Sequence, residues 1–106
     1  MFLKNVAGLA TFSPSKMTKS TIVKGDSLFA GLNAFEPGQE HALHAHPGQD
    51  KLYFILEGAG VVQVGDDTEH LSAGDAAFAR SGVVHSIRNP GPARLVVMAI
   101  LAPPHS

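Results

Sequence analysis

The feature that most constrains this chain is how often it has to turn. Turn-forming clusters recur along its length: "KGDS" at 24–27, "EPGQE" at 36–40, "HPGQD" at 46–50 and "EGAG" at 57–60. They continue with "GDD" at 65–67, "SAGD" at 72–75, "RSG" at 80–82 and "NPGP" at 89–92. Gly supplies positive φ, Pro fixes φ, and Asp, Asn and Ser bond back to the local backbone, so each cluster breaks regular structure. What remains between them is short: "LFAGLNAF", "KLYFIL", "VVQV", "AAFA", "HSIR" and "RLVVMAIL". These runs suit β-strands, and no window carries a capped amphipathic helix. Several short strands at near-regular spacing predict an all-β, antiparallel sandwich or barrel.

The 106 residues amount to one domain, long enough for a single core without staples. The first 20 residues, with "SPSKMTKS", fit the pattern least and are expected to be an arm or an edge strand. With no cysteine, disulfides and thiolate ligands are excluded, so any metal must sit on nitrogen or oxygen. The formal charge is −1 and the basic residues are scattered, which argues against a nucleic-acid partner. No run approaches a membrane span and the N-terminus lacks the pattern of a signal peptide. A soluble cytoplasmic protein is expected.

The chemistry concentrates in "HALHAHPGQDKLYFILEG", residues 41–58. His44 and His46 are two apart, so on a strand they point to one side and can converge on one point. Taken alone, such a pair is more often solvated or hydrogen-bonded. His41 has the opposite parity and reads as a rim or surface histidine. His85 adds a third imidazole from a separate part of the chain.

With His85 the spacing resembles that of the cupins, a family of small β-barrels with two signature motifs. The first runs Gly38, five residues, His44, Ala45, His46, four residues, Lys51, six residues, Gly58. The second runs Gly74, five residues, Arg80, Ser81, Gly82, two residues, His85, three residues, Asn89. Together they cover residues 38–89. The resemblance implies one domain over 1–106, a double-stranded β-helix or jelly-roll barrel with its site near one mouth. It also assigns His44, His46 and His85 to three metal ligands. Arg80 replaces the family's proline. Lys51 replaces the family's glutamate ligand.

That second departure changes the charge of the site. A divalent ion on three neutral imidazoles keeps its full charge. An ammonium about 6 Å away would be repelled by on the order of 5 kcal/mol at an effective dielectric of about 20. Three resolutions are open. Lys51 could be neutral and act as base or ligand. A small anionic substrate could lie between the ion and the ammonium. Or Lys51 could bend away toward Glu57, Glu40 or solvent. Gln49 or Asp50 could also swing in as an oxygen ligand if the "HPGQD" turn allows it. Three histidines with open positions suit Fe, Mn, Ni, Cu or Zn as one divalent ion.

Lys51 is accordingly the candidate catalytic residue, and Lys51, Tyr53 and Ile55, which share a strand face, are candidate substrate-binding residues. The function expected is that of a metal-binding cupin of dioxygenase or isomerase type acting on a small anionic organic molecule. The alternative is a module that binds such a ligand without chemistry. Asn89 is expected to close a turn before Pro90 and Arg88 to face outward. Phe78 is expected in the core, Met98 in the barrel interior or core, His70 in solvent and His105 in a Pro-rich tail. Ser13, Ser72, Ser81 and Ser86 have no histidine–acid arrangement that would make a nucleophile. Strands "KLYFIL" and "LVVMAIL" are apolar on both faces, so a homodimer is expected to cover the outer one, the N-terminal arm being the other cover.

Overall fold

The computed structural model describes residues 1–104; His105 and its tail lie outside the described residues. Nine strands follow one short 3-10 turn at Val6–Leu9. They are β1 (Thr18–Lys24), β2 (Phe29–Phe35), β3 (Glu40–His44), β4 (Asp50–Glu57) and β5 (Ala59–Val64). β6 (Asp67–Ser72), β7 (Ala76–Ala79), β8 (His85–Arg88) and β9 (Leu95–Ala102) complete the set. Every pairing is antiparallel. One sheet has the order β1-β2-β9-β4-β7 and the other β3-β8-β5-β6. Among the described residues no helix is long and apolar enough to cross a membrane.

The six runs expected as strands are strands. β1, β3 and β6 were not among them, and each lies at the edge of its sheet. Their sequences, "TKSTIVK", "EHALH" and "DTEHLS", are polar because an edge strand is partly solvated and is kept from pairing with another chain by charge. β1 begins at Thr18, near the end of the 1–20 stretch. The Gln39 amide donates to the Ser13 carbonyl at 2.7 Å, and the Arg94 guanidinium lies 4.3 Å from the centre of the Phe12 ring.

The core forms between the sheets from Phe35, Tyr53, Ile55, Val62, Ile87, Leu95, Val97 and Ala99. In β4 the period-two pattern is explicit. Lys51, Tyr53 and Ile55 are buried, while Leu52, Phe54 and Leu56 are half-buried on the outer face. Register carries that alternation across the sheet. Phe78 opposes Leu52, and Met98 opposes both Phe54 and Leu32. Both therefore sit on the outer face. Phe78 is 52% exposed, not core, and Met98 is not in the barrel interior. On that face the β2 residues Ala30, Leu32 and Ala34 are buried, while the β4–β7 half stays open.

The turns hold the strand ends. Asn89, fully buried, donates to the Phe35 and Ala93 carbonyls and accepts from the Gly91 N–H, closing the loop before β9 as expected. Arg88 is exposed. His70 is exposed on β6.

Candidate metal centre

β3 and β8 build the centre. His44 lies directly opposite His85 in the ladder, and their rings approach to 4.2 Å between centroids. His46, just past the end of β3, brings its ring to 4.8 Å from His44 and 5.4 Å from His85. The nitrogens that the three offer lie within 4.8 Å of one another. Two nitrogens on a tetrahedral ion with bonds of about 2.1 Å stand roughly 3.4 Å apart, so small ring rotations close the set.

Two of the rings are oriented by the backbone. The Ala42 carbonyl is 2.6 Å from His44 Nδ1, and the Val83 carbonyl is 2.9 Å from His85 Nδ1. A carbonyl only accepts, so each Nδ1 carries the proton and each Nε2 keeps its lone pair. Burial lowers the pKa of both rings, the backbone bonds partly opposing it, which leaves neutral imidazoles, the ligand form. His85 is 1% exposed, and its Nε2 is buried with no hydrogen-bond partner. Such an acceptor is unfavourable unless something binds it. Donor type, orientation and the orphaned Nε2 fit a divalent transition metal.

Lys51 does not bend away. It is 4% exposed, with Nζ 3.4 Å from His44 Nε2 and 4.8 Å from the centre of the Tyr53 ring. Burial, and then the charge of Lys19, lower its pKa to about 8. Gln49 and Asp50 are not brought to the cluster. The Gln49 amide donates to the Pro103 carbonyl at 2.8 Å, and Asp50 Oδ1 accepts from the Ser81 N–H at 2.9 Å. Loop closure engages both side chains. Tyr53 and Ile55 face inward as their parity requires, but both are fully buried in the core cluster beneath Lys51. The Tyr53 hydroxyl is buried without a partner, and burial raises its pKa.

His41 overturns its expectation. It opposes Ile87, and His44 opposes His85, so β3 spends three residues where β8 spends two. That irregularity is a β-bulge, and it restores His41 to the inner face. Its ring stacks 4.0 Å from that of His44. Burial first, then the neighbouring charges, push its pKa down to about 3. Strict alternation along "HALH" hid this residue. The three closely spaced histidines were the only signal that could have raised it.

His41 and His46 open onto a cavity of about 200 Å³, which Lys19, Asn33 and Lys51 also line. Among the described residues no carboxylate lines it.

Comparison with known proteins agrees with this geometry. The profile described as "Cupin domain" matches residues 31–101. The chain is 34% identical to the oxalate-binding protein of Thermotoga maritima over 85 residues, covering 80% of this chain and 69% of that one. It is 37% identical over 76 residues to the tetracenomycin polyketide synthase protein TcmJ of Streptomyces glaucescens, covering 70% of this chain. It spans about half, 51%, of that protein's length. The crystal structure of TT1209 from Thermus thermophilus superposes with a TM-score of 0.92 at 37% identity, covering 97% of this chain and 98% of that one.

Proposed function

The chain belongs to the cupin family, and from that premise we propose that it binds a small organic acid at a divalent metal held by His44, His46 and His85. One observation carries the reading: a buried lysine stands beside three converging imidazoles, at a cavity that no described carboxylate lines. The ion would act as a Lewis acid toward a carboxylate or carbonyl oxygen. Lys51 supplies a second cation from the side, in the position where the family's glutamate would otherwise lower the charge. A bound carboxylate separates the two positive centres and offsets the repulsion between them. The core beneath, with Tyr53 and Ile55, holds the Lys51 stem in place and excludes water from that side. The binding property in the name of the Thermotoga relative supports the same class of ligand.

The test is calorimetric titration of pyruvate into metal-loaded and metal-free protein. Binding of one pyruvate per chain to the loaded form alone, weakened about tenfold by Lys51→Met, is the expected result. Equal binding with and without metal contradicts the reading.

A second reading, turnover of the acid, is favoured by the placement of the Lys51 amine inside the cavity beside His44. There it can take and return a proton on a carbon next to the carbonyl, an isomerase-type step. Dioxygenase chemistry on a three-histidine ion is the other catalytic form. Exchange of the pyruvate methyl protons for deuterium, followed by NMR and lost in Lys51→Met, is the expected sign of proton transfer. Binding without exchange leaves the chain a ligand-binding module.

A further inference from the structure

The cavity beside the histidines has two cationic ends, and we propose that it selects short-chain dicarboxylates, with one carboxylate at the Lys51 end and the other at a second subsite formed by Lys19, Asn33 and His41. This rests on the acid-binding reading above and extends it to the length and charge of the ligand.

The register defines the two ends. On the inner face of the five-stranded sheet one row runs Phe29–Leu101–Lys51 and the next Gly31–Ala99–Tyr53. A third runs Lys19–Asn33–Val97–Ile55. Lys51 and Lys19 are thus rooted three strands apart and two rows apart, about 14 Å in each direction. Both long side chains nonetheless line one cavity, so they reach into it from opposite sides.

The floor between the ends is mostly apolar. Gly31 and Ala99 face each other across the β2–β9 ladder, flanked by Phe29 and Leu101. A hydrocarbon spacer can lie on that floor. Ser20 and Thr21 line its β1 side. A cavity of about 200 Å³ suits a short diacid.

The far end has the donors a second carboxylate needs. The Asn33 side chain, 5% exposed, opens onto the cavity. His41 Nδ1 is buried without a hydrogen-bond partner, and a neutral imidazole can place its proton there. Lys19 supplies the charge. Glu40 lines the adjoining outer cleft together with Lys16, Lys19 and His41, but among the described residues it forms no ion pair with Lys19. Among the described residues no carboxylate lines the cavity itself.

The experiment is calorimetry on the full chain loaded with zinc, titrated with succinate and glutarate against the chain-matched monoacids butyrate and valerate. In the wild type each diacid is expected to bind at least about tenfold more tightly than its monoacid. Lys19→Met, a neutral change on an exposed edge strand, is expected to erase that advantage and leave the monoacids unchanged. Lys51→Met is expected to weaken both classes alike. Equal affinity for diacid and monoacid in the wild type overturns the proposal and leaves the acid-binding reading standing, as does a Lys19→Met variant that weakens both classes equally. If no acid binds the zinc-loaded protein, both ideas fall.

Discussion

At the scale of single residues, position 51 would set how strongly the three histidines hold a divalent ion. An ammonium there opposes a divalent cation, while a carboxylate would attract it and complete the ligand set. Lys51→Glu is therefore expected to raise metal affinity by at least about tenfold, measured by competition with a chromophoric chelator. Unchanged or weaker affinity would show that the Lys51 head does not sense the ion. The histidines set a pH dependence of their own. Burial, then neighbouring charges, push the His41 pKa down to about 3 from its ordinary 6.5, and burial lowers those of His44 and His85 too. Between about 3 and 6.5 the unfolded chain therefore binds more protons than the folded one. Stability then rises with pH across that window and is lost on acidification. The unfolding temperature of the metal-free protein is expected to fall steadily from about pH 7 to about pH 4, and to fall less in His41→Ala. A flat profile would mean that these rings are not buried as neutral imidazoles.

At the scale of strands and turns, the bends are as informative as the strands. Gly58 joins β4 to β5 with φ +78°, and a Cβ there would run into the Arg94 carbonyl oxygen at the approach to β9. Gly58→Ala is expected to lower stability by about 1–3 kcal/mol in urea unfolding. A variant as stable as the wild type would mean that this junction is loose. The same elements show what was legible in the chain. Gly and Pro clusters marked the turns, and apolar runs marked the strands that face the core. Edge strands β1, β3 and β6 were not among the runs that marked themselves as strands, because their polar side chains carry no period-two signal of burial. His44, His46 and His85 were legible because their spacing matches a family pattern. His41 was not, because a single extra residue in β3 reverses parity, and pairing with β8 reveals it where sequence does not. Phe78 was misplaced for a related reason: its side of the sheet is set by the partner Leu52 in β4.

At the scale of the whole molecule, the outer face of the five-stranded sheet stays apolar where β4, β9 and β7 present Leu52, Phe54, Met98, Ile100 and Phe78. The arm does not bury Phe78. We propose that a second copy of the chain covers this face, since two such flat apolar surfaces are complementary to each other. Light scattering on the eluting protein is expected to give the dimer mass for the wild type and the monomer mass for Phe78→Lys. A wild-type monomer would count against it. The three histidines lie within one chain, so Phe78→Lys is expected to leave any ion binding unchanged.

Elemental analysis bears most directly on the central claim that three imidazoles from two strand regions hold one ion. The protein should be prepared without a histidine tag or chelating column and compared with His44→Ala and His85→Ala. The account predicts one divalent transition ion per wild-type chain and a loss of affinity of at least about tenfold in each folded variant. Wild-type protein that takes up no such ion, or a His85→Ala variant that keeps full occupancy, would contradict it.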